Sequence, residues 1–155
     1  MPNREYYFNT DEKSVNVKNA YKKYLYKTFV ELGNDSAAAI KNEESVFTME
    51  TKLAKASRKL ADLRDPYKNY NKMDIATLNK LSSNIDWNNY LKNIGIAKLD
   101  SVIVGQPEFY TQLNSTLKTS AISDWKNYLR AHLIMSSAAC KYLVEKYQLS
   151  TNLVH

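Results

Sequence analysis

Residues 44–66 read ESVFTMETKLAKASRKLADLRDP. Val46, Met49, Leu53, Ala56, Leu60 and Leu63 step along the stretch at intervals of three, four, three, four and three. That is the repeat of an α-helix and not of a strand. Charged residues fill the positions between, so one apolar stripe faces a core and the other faces meet water. The spacing predicts a helix from about Glu43. Pro66 ends it at Asp65, because a proline disfavours helical geometry in the residue before it.

Working outward, the same periodicity recurs on both sides. Over residues 17–32, Val17, Tyr21, Tyr24, Leu25, Phe29 and Leu32 share a helical face, and Gly33 followed by Asn34 is a stop signal. Beyond Pro66, Asp74 is placed to cap a short helix with Ile75, Leu78 and Leu81 inward, broken at Ser82 or Ser83. NIDWNNYLKNIG predicts another, aligning Trp87, Leu91 and Ile94 and stopping at Gly95. Pro107 suits a first helical turn, with Tyr110, Leu113 and Leu117 inward. A last, long helix, capped by Ser120 or Ser123, carries Ile122, Trp125, Leu129, Leu133, Ser136, Cys140, Leu143 and Tyr147 at helical spacing. SVIVG stands alone as a β-branched run, too short to make a sheet by itself. The expected fold is all-α: one helical domain over residues 1–155, long amphipathic helices, one short extended segment near 102–104, and no internal repeat.

Composition agrees. With three glycines and three prolines in 155 residues, tight turns are few and helices are favoured. The net charge is +6, but the lysines are scattered, arginines are rare, and no run of five like charges occurs. A solvated lysine surface therefore outweighs nucleic-acid binding. Most of the twelve tyrosines fall on helix stripes with Leu and Val, which favours core packing over a stacking platform for single strands. One cysteine allows no intrachain disulfide. No apolar run reaches the roughly 18 residues of a membrane span, and the opening MPNREYYFNT is polar, unlike a secretory signal.

Reactive constellations are scarce. A zinc site takes three or four ligands from His, Cys or carboxylates. The two histidines are His132 and His155, and HExxH does not occur. Glu31 and Asp35 match E-x-x-x-D, but Gly33 between them ends the helix that would align them. His132 reads as a half-buried, hydrogen-bonded histidine, and Cys140 as an inert thiol on the apolar stripe. Gly-rich phosphate loops and nucleophile elbows are absent. Asn114 heads a glycosylation sequon that lies within a predicted helix. No catalytic or metal-binding residue is assigned.

Residues 50–81, ETKLAKASRKLADLRDPYKNYNKMDIATLNKL, resemble the N-terminal region of the neprilysin and endothelin-converting-enzyme family of zinc metallopeptidases. The family's E-x-x-L-A corresponds to Glu50, Leu53 and Ala54, its R-x-DP to Arg64, Asp65 and Pro66, and its YNKM to Tyr70, Asn71, Lys72 and Met73. MPNREYY is similar to the family's L-P-x-R-D-Y-Y, with Arg4, Tyr6 and Tyr7 matching and Glu5 in place of Asp. IDWNNYL and VIVGQPEFYTQLN also match, and WKNYLRAHLIMSSAACKYL is similar to bacterial members. The likeness runs from about residue 2 to about residue 147, and the tail QLSTNLVH departs from it.

The resemblance implies a piece of the N-terminal, non-catalytic lobe of a zinc metalloendopeptidase. That lobe helps enclose the substrate cavity and limits access by peptide size. The family's catalytic motifs lie far downstream, so this chain alone is expected to be inactive and without zinc, which belongs to the parent enzyme. Its partners would be peptide substrates in the whole enzyme and the catalytic lobe of the same polypeptide. Exposure of the face that lobe covers would lead to self-association through the last helix, around Leu133, Ile134, Met135 and Ala138. Location, by the same resemblance, is extracytoplasmic, periplasmic or extracellular, in some members membrane-anchored. The residues expected to form a structural corner are Arg64, Asp65, Pro66, Tyr70 and Asn71, with Arg64 and Asp65 tying helix ends and Asn71 bonding the turned backbone. The alternative is a standalone helical module that binds a peptide or protein in a groove.

Overall fold

A computed structural model describes residues 1, 3–96 and 98–151, with side chains described to residue 137. In chain order the elements are α1 (Glu5–Phe8), α2 (Glu12–Glu31), α3 (Ser36–Ala56), α4 (Leu60–Leu63), β1 (Lys72–Asp74), α5 (Ile75–Leu81), α6 (Trp87–Asn93), β2 (Ser101–Ile103), α7 (Pro107–Thr119) and α8 (Ile122–Thr151). The class is all-α with one two-stranded ribbon.

α3 is the central element. It packs against α2 on one side and against α7 and α8 on others. Leu25 and Phe29 from α2, Ala39 and Val46 from α3, and Ala131 from α8 are fully or almost fully buried together. Tyr21, Tyr26, Phe47, Tyr128 and Met135 close around them. Each large apolar side chain so buried contributes about 1.5–3 kcal/mol. Ala39 and Ala131, with methyl side chains, let the neighbouring helices approach.

Helix ends follow local chemistry. Asp11, Asp35, Asp74 and Asp86 each accept a hydrogen bond at a helix N-terminus, from the amides of Ser14, Ala38, Thr77 and Asn89. Gly33 and Gly95 adopt φ of 85° and 84°, a region that costs other L-residues energy. Around Gly33, the Asn34 amide bonds Phe29 O and the Gly33 amide bonds Val30 O. Around Gly95, the amides of Ile96 and Gly95 bond Leu91 O and Lys92 O in the same way. Both are Schellman endings.

Several expectations are corrected. The helix through residues 44–66 is not continuous: α3 starts earlier, at Ser36, and ends at Ala56, and Leu60 and Leu63 stand half exposed on α4. The charged faces of α3 are not all in water, because Glu43 and Glu50 are buried against neighbouring helices. SVIVG is not alone. Ser101–Ile103 pairs antiparallel with Lys72–Asp74, in register Lys72 to Ile103, Met73 to Val102 and Asp74 to Ser101. Tyr24 on α2 and Leu32 just after its end are exposed. Ser120 ends α7, and α8 begins after Ala121, so neither serine caps the last helix. On α8 the buried edge runs through Tyr128, Ala131 and Met135, whereas Ile122, Leu129 and Leu133 are 74%, 61% and 67% exposed. The side chains of Ala138, Cys140, Leu143 and Tyr147 lie outside the described residues.

Candidate functional site

Where α1, α2, α3 and α8 converge, a polar cluster gathers around one buried carboxylate. Glu50, in the last third of α3, is 6% exposed. Its Oε1 accepts hydrogen bonds from Tyr21 Oη at 2.7 Å and from His132 Nε2 at 2.9 Å. Its Oε2 accepts one from Tyr7 Oη at 3.1 Å. Three donors from three other helices thus satisfy a carboxylate that burial would otherwise penalise. Burial first, and then the charge and hydrogen bond of Glu50, push the Tyr7 and Tyr21 hydroxyls well above the ordinary tyrosine range. Burial and the Glu50 charge raise Tyr128 as well. All three phenols therefore stay neutral at physiological pH.

Above this cluster opens a cleft of about 420 Å³. Leu53, Leu60, Leu63 and Phe109 give it apolar walls, and Arg4, Glu5, Glu50 and His132 line it with charge. Arg4 is fixed by a bond from Nε to Ala54 O, with its guanidinium over the Phe8 ring. The His132 ring lies 4.3 Å from that of Tyr128, centroid to centroid. Both oxygens of Glu50 are engaged by tyrosine and histidine. Among the described residues no three His, Cys, Asp or Glu side chains come together to hold a metal. The chemistry of the cluster is that of a polar lock between helices.

The corner after α3 is a second polar assembly, centred on Arg58, which no motif or spacing marked out. Arg58 donates from Nε and Nη2 to the two carboxylate oxygens of Glu108, at the start of α7. Its Nη1 donates to Lys68 O at 2.6 Å and Asn69 Oδ1 at 3.1 Å, and its amide donates to Gln106 Oε1 at 2.7 Å. Asn69 Nδ2 in turn bonds the carbonyls of Asp62, Leu63 and Asp65.

The structure places the five corner residues as follows. Asp65 Oδ1 accepts the amides of Tyr67 and Lys68, making the turn after Pro66. Asn71 Nδ2 donates to Lys68 O and Val104 O, and the Val104 amide returns a bond to Asn71 O. Pro66 is exposed at the first position of that turn. Arg64 and Tyr70 are exposed, and their side chains make no hydrogen bond among the described residues. Asn114, the sequon asparagine, is spent on the turn before α6, its Oδ1 accepting from Asn84 N and Nδ2. Neither Glu50 nor Arg58 carried a motif of its own as a lock. The available signals for Glu50 were its place in the E-x-x-L-A likeness and beside Met49, at the margin of the apolar stripe.

Comparison with known proteins gives one consistent result. The model of peptidase family M13 for the N-terminal region matches residues 1–152. The chain is 31% identical over 143 residues to an endothelin-converting enzyme homolog of Locusta migratoria, covering 86% of this chain and 19% of that protein. It is 28% identical over 141 residues to neprilysin-3 of Drosophila melanogaster, covering 86% and 18%. Among solved structures it is similar to the zinc metalloprotease Zmp1 of Mycobacterium tuberculosis in its open state, with TM-score 0.80 and 27% identity, covering 89% of this chain and 22% of that one. The inhibitor complex of Zmp1 gives the same TM-score and identity, covering 89% and 21%. The chain thus spans about a fifth of the length of the relatives it matches.

Proposed function

This chain belongs to peptidase family M13, and from that membership we propose that it forms one helical domain of the non-catalytic N-terminal lobe of a zinc metalloendopeptidase. The lobe would help enclose the substrate cavity and limit access by peptide size. The observation that carries this reading is the fit of nearly the whole chain, at TM-score 0.80, onto about a fifth of Zmp1. Its own polar clusters are consumed in joining helices, as suits a wall more than a reaction centre.

Zinc, where bound in the whole enzyme, would activate water and polarise the scissile carbonyl. Among the described residues no three His, Cys, Asp or Glu side chains come together as a ligand set for it, and in this reading it lies elsewhere in the whole enzyme. Peptides would be the substrates. The catalytic lobe of the same polypeptide would be the partner, lying against the apolar edge of α8. Placement outside the cytoplasm is part of the same proposal and rests on the family likeness. No helix among the described residues is long and apolar enough to cross a membrane.

The test is to express the chain alone and joined to the sequence that follows it in its gene. The chain alone is expected to cleave no peptide, and the joined form to show chelator-sensitive endopeptidase activity. Chelator-sensitive cleavage by the isolated chain would overturn the non-catalytic reading, and a gene that stops near residue 155 with no HExxH segment would favour the standalone binding module instead.

A further inference from the structure

The charges that line the cleft above Glu50 are matched within the protein. The Met1 ammonium donates to Tyr7 Oη. Arg4 is held on Ala54 O and over the Phe8 ring. Arg58 is forked on Glu108. Glu50 is spent on Tyr7, Tyr21 and His132, and one oxygen of Glu5 is buried away from solvent. With Glu108 counted, three carboxylates stand against Met1, Arg4 and Arg58. An ionic ligand finds no surplus of either sign to hold it.

The apolar walls are not matched. Leu60 and Leu63 stand half exposed on α4, a helix of four residues none of which is buried. Leu53 from α3 and Phe109 from α7 complete the walls, and α8 adds Tyr128 and His132. On α8 the exposed Leu129 lies about 60° further round than His132, on the same flank and away from the core. Apolar surface therefore extends from α4 across the cleft onto the outer face of α8. A contiguous open surface of this kind marks a place of contact.

We propose that the cleft is a socket for an uncharged, apolar segment of the same polypeptide, from the part outside these 155 residues. The inference rests on reading the chain as one domain of a longer M13 peptidase. The chain spans about a fifth of the length of the relatives it matches, so most of such a polypeptide lies outside it. α8 passes the cleft at Tyr128 and His132 and runs on to Thr151, which keeps the polypeptide close to the site. A tethered segment acts at high effective concentration and needs no ionic anchor to stay seated. Contacts between parts of one chain are commonly of this modest, partly apolar kind. The balanced charge of the cleft suits such an occupant better than a free ion or a carboxylate.

Thiol labelling tests the cover. Leu60→Cys and Leu63→Cys are made in the whole polypeptide of the gene and in the isolated chain, with Tyr67→Cys, at a site 90% exposed and outside the cleft, as control. Labelled peptides are identified by mass, and the chain is kept dilute enough to be a single copy. Labelling at 60 and at 63, relative to 67, is expected to fall about tenfold or more in the whole polypeptide. Leu63→Glu in the whole polypeptide should restore most of the labelling at Leu60→Cys, because an apolar occupant offers a buried carboxylate no partner. Equal ratios in the two forms overturn the socket, and chelator-sensitive cleavage by the same whole polypeptide would then leave the peptidase reading standing without it. A fall with no such cleavage keeps the socket and counts against the peptidase reading. A fall that needs added peptide, or that appears in the chain alone as its concentration rises, gives the cleft to a substrate or a second copy and overturns the proposal. A gene that supplies no sequence beyond these residues overturns both.

Discussion

Arg58 and Glu108 sit fifty residues apart and are joined through both nitrogens of one guanidinium edge and both oxygens of one carboxylate. This fork holds the end of α3 against the first turn of α7. It also accounts for the break in the helix: with its amide on Gln106 and its side chain on Glu108, Lys68 O and Asn69, Arg58 bonds more outside a helix than within one. Arg58→Ala should therefore destabilise the chain by about 1–2 kcal/mol, the lower part of the range for unsatisfied partners because Glu108 is partly exposed. Arg64→Ala, at an exposed and unbonded position, should stay within about 0.5 kcal/mol of wild type. Urea unfolding of the two variants side by side checks the contrast, and equal losses would return the corner to Arg64.

The same fork sets a pH dependence. The hydrogen bond and charge of Arg58 hold the Glu108 carboxyl below the usual carboxylate range. A lowered folded value contributes stability above the unfolded pKa of about 4.3, and that contribution is lost as pH falls through the folded value. Asp62, lowered by Lys68, acts in the same direction. The stability gap between wild type and Glu108→Gln is expected to be constant from neutral pH down to about 5 and to close below about 4. Unfolding midpoints measured across that span give the curve, and a gap that widens toward acid would refute the assignment.

The outer face of α8 yields a prediction about association. Ile122, Leu129 and Leu133 stand out into solvent on a helix whose opposite edge is packed. The isolated chain should self-associate through this face and bind a hydrophobic dye. Leu129→Lys with Leu133→Lys should abolish both while moving the thermal midpoint little, since exposed positions seldom matter to the fold. Sedimentation over a wide concentration range provides the readout. A wild type that is strictly monomeric and silent to the dye would remove the proposal.

What could be read from the sequence was what neighbouring residues decide. Gly33 and Gly95 end helices by their own backbone freedom, Asp74 caps its own helix, and Pro107 opens one. Each of these lay open to inspection. The break after Ala56 did not, because its cause is Gln106 and Glu108, far along the chain. β1 was hidden for a like reason: three residues carry no period, and their partner strand lies beyond two helices. Glu50 looked like one more surface charge on α3. It is buried because Tyr7, Tyr21 and His132 arrive from three other helices, a convergence that helical spacing does not encode.

The β1–β2 ribbon has a consequence for the order of folding. It ties residues 72–74 to 101–103 and so shuts a loop that contains α5 and α6 whole. Those helices have seven residues each, too few to persist alone in water. Closing such a loop costs chain entropy before any contact inside it is gained. Within the loop, Trp87 Nε1 donates to the fully buried Ser82 Oγ at 2.7 Å, and the Trp87 ring meets Tyr110 of α7 edge-on at 5.5 Å. Ribbon, α5 and α6 therefore form and dissolve together, on a template that α7 must already provide. They are expected to open as one unit and before α3, an order that hydrogen exchange of the α5 and α6 amides against those of α3 measures.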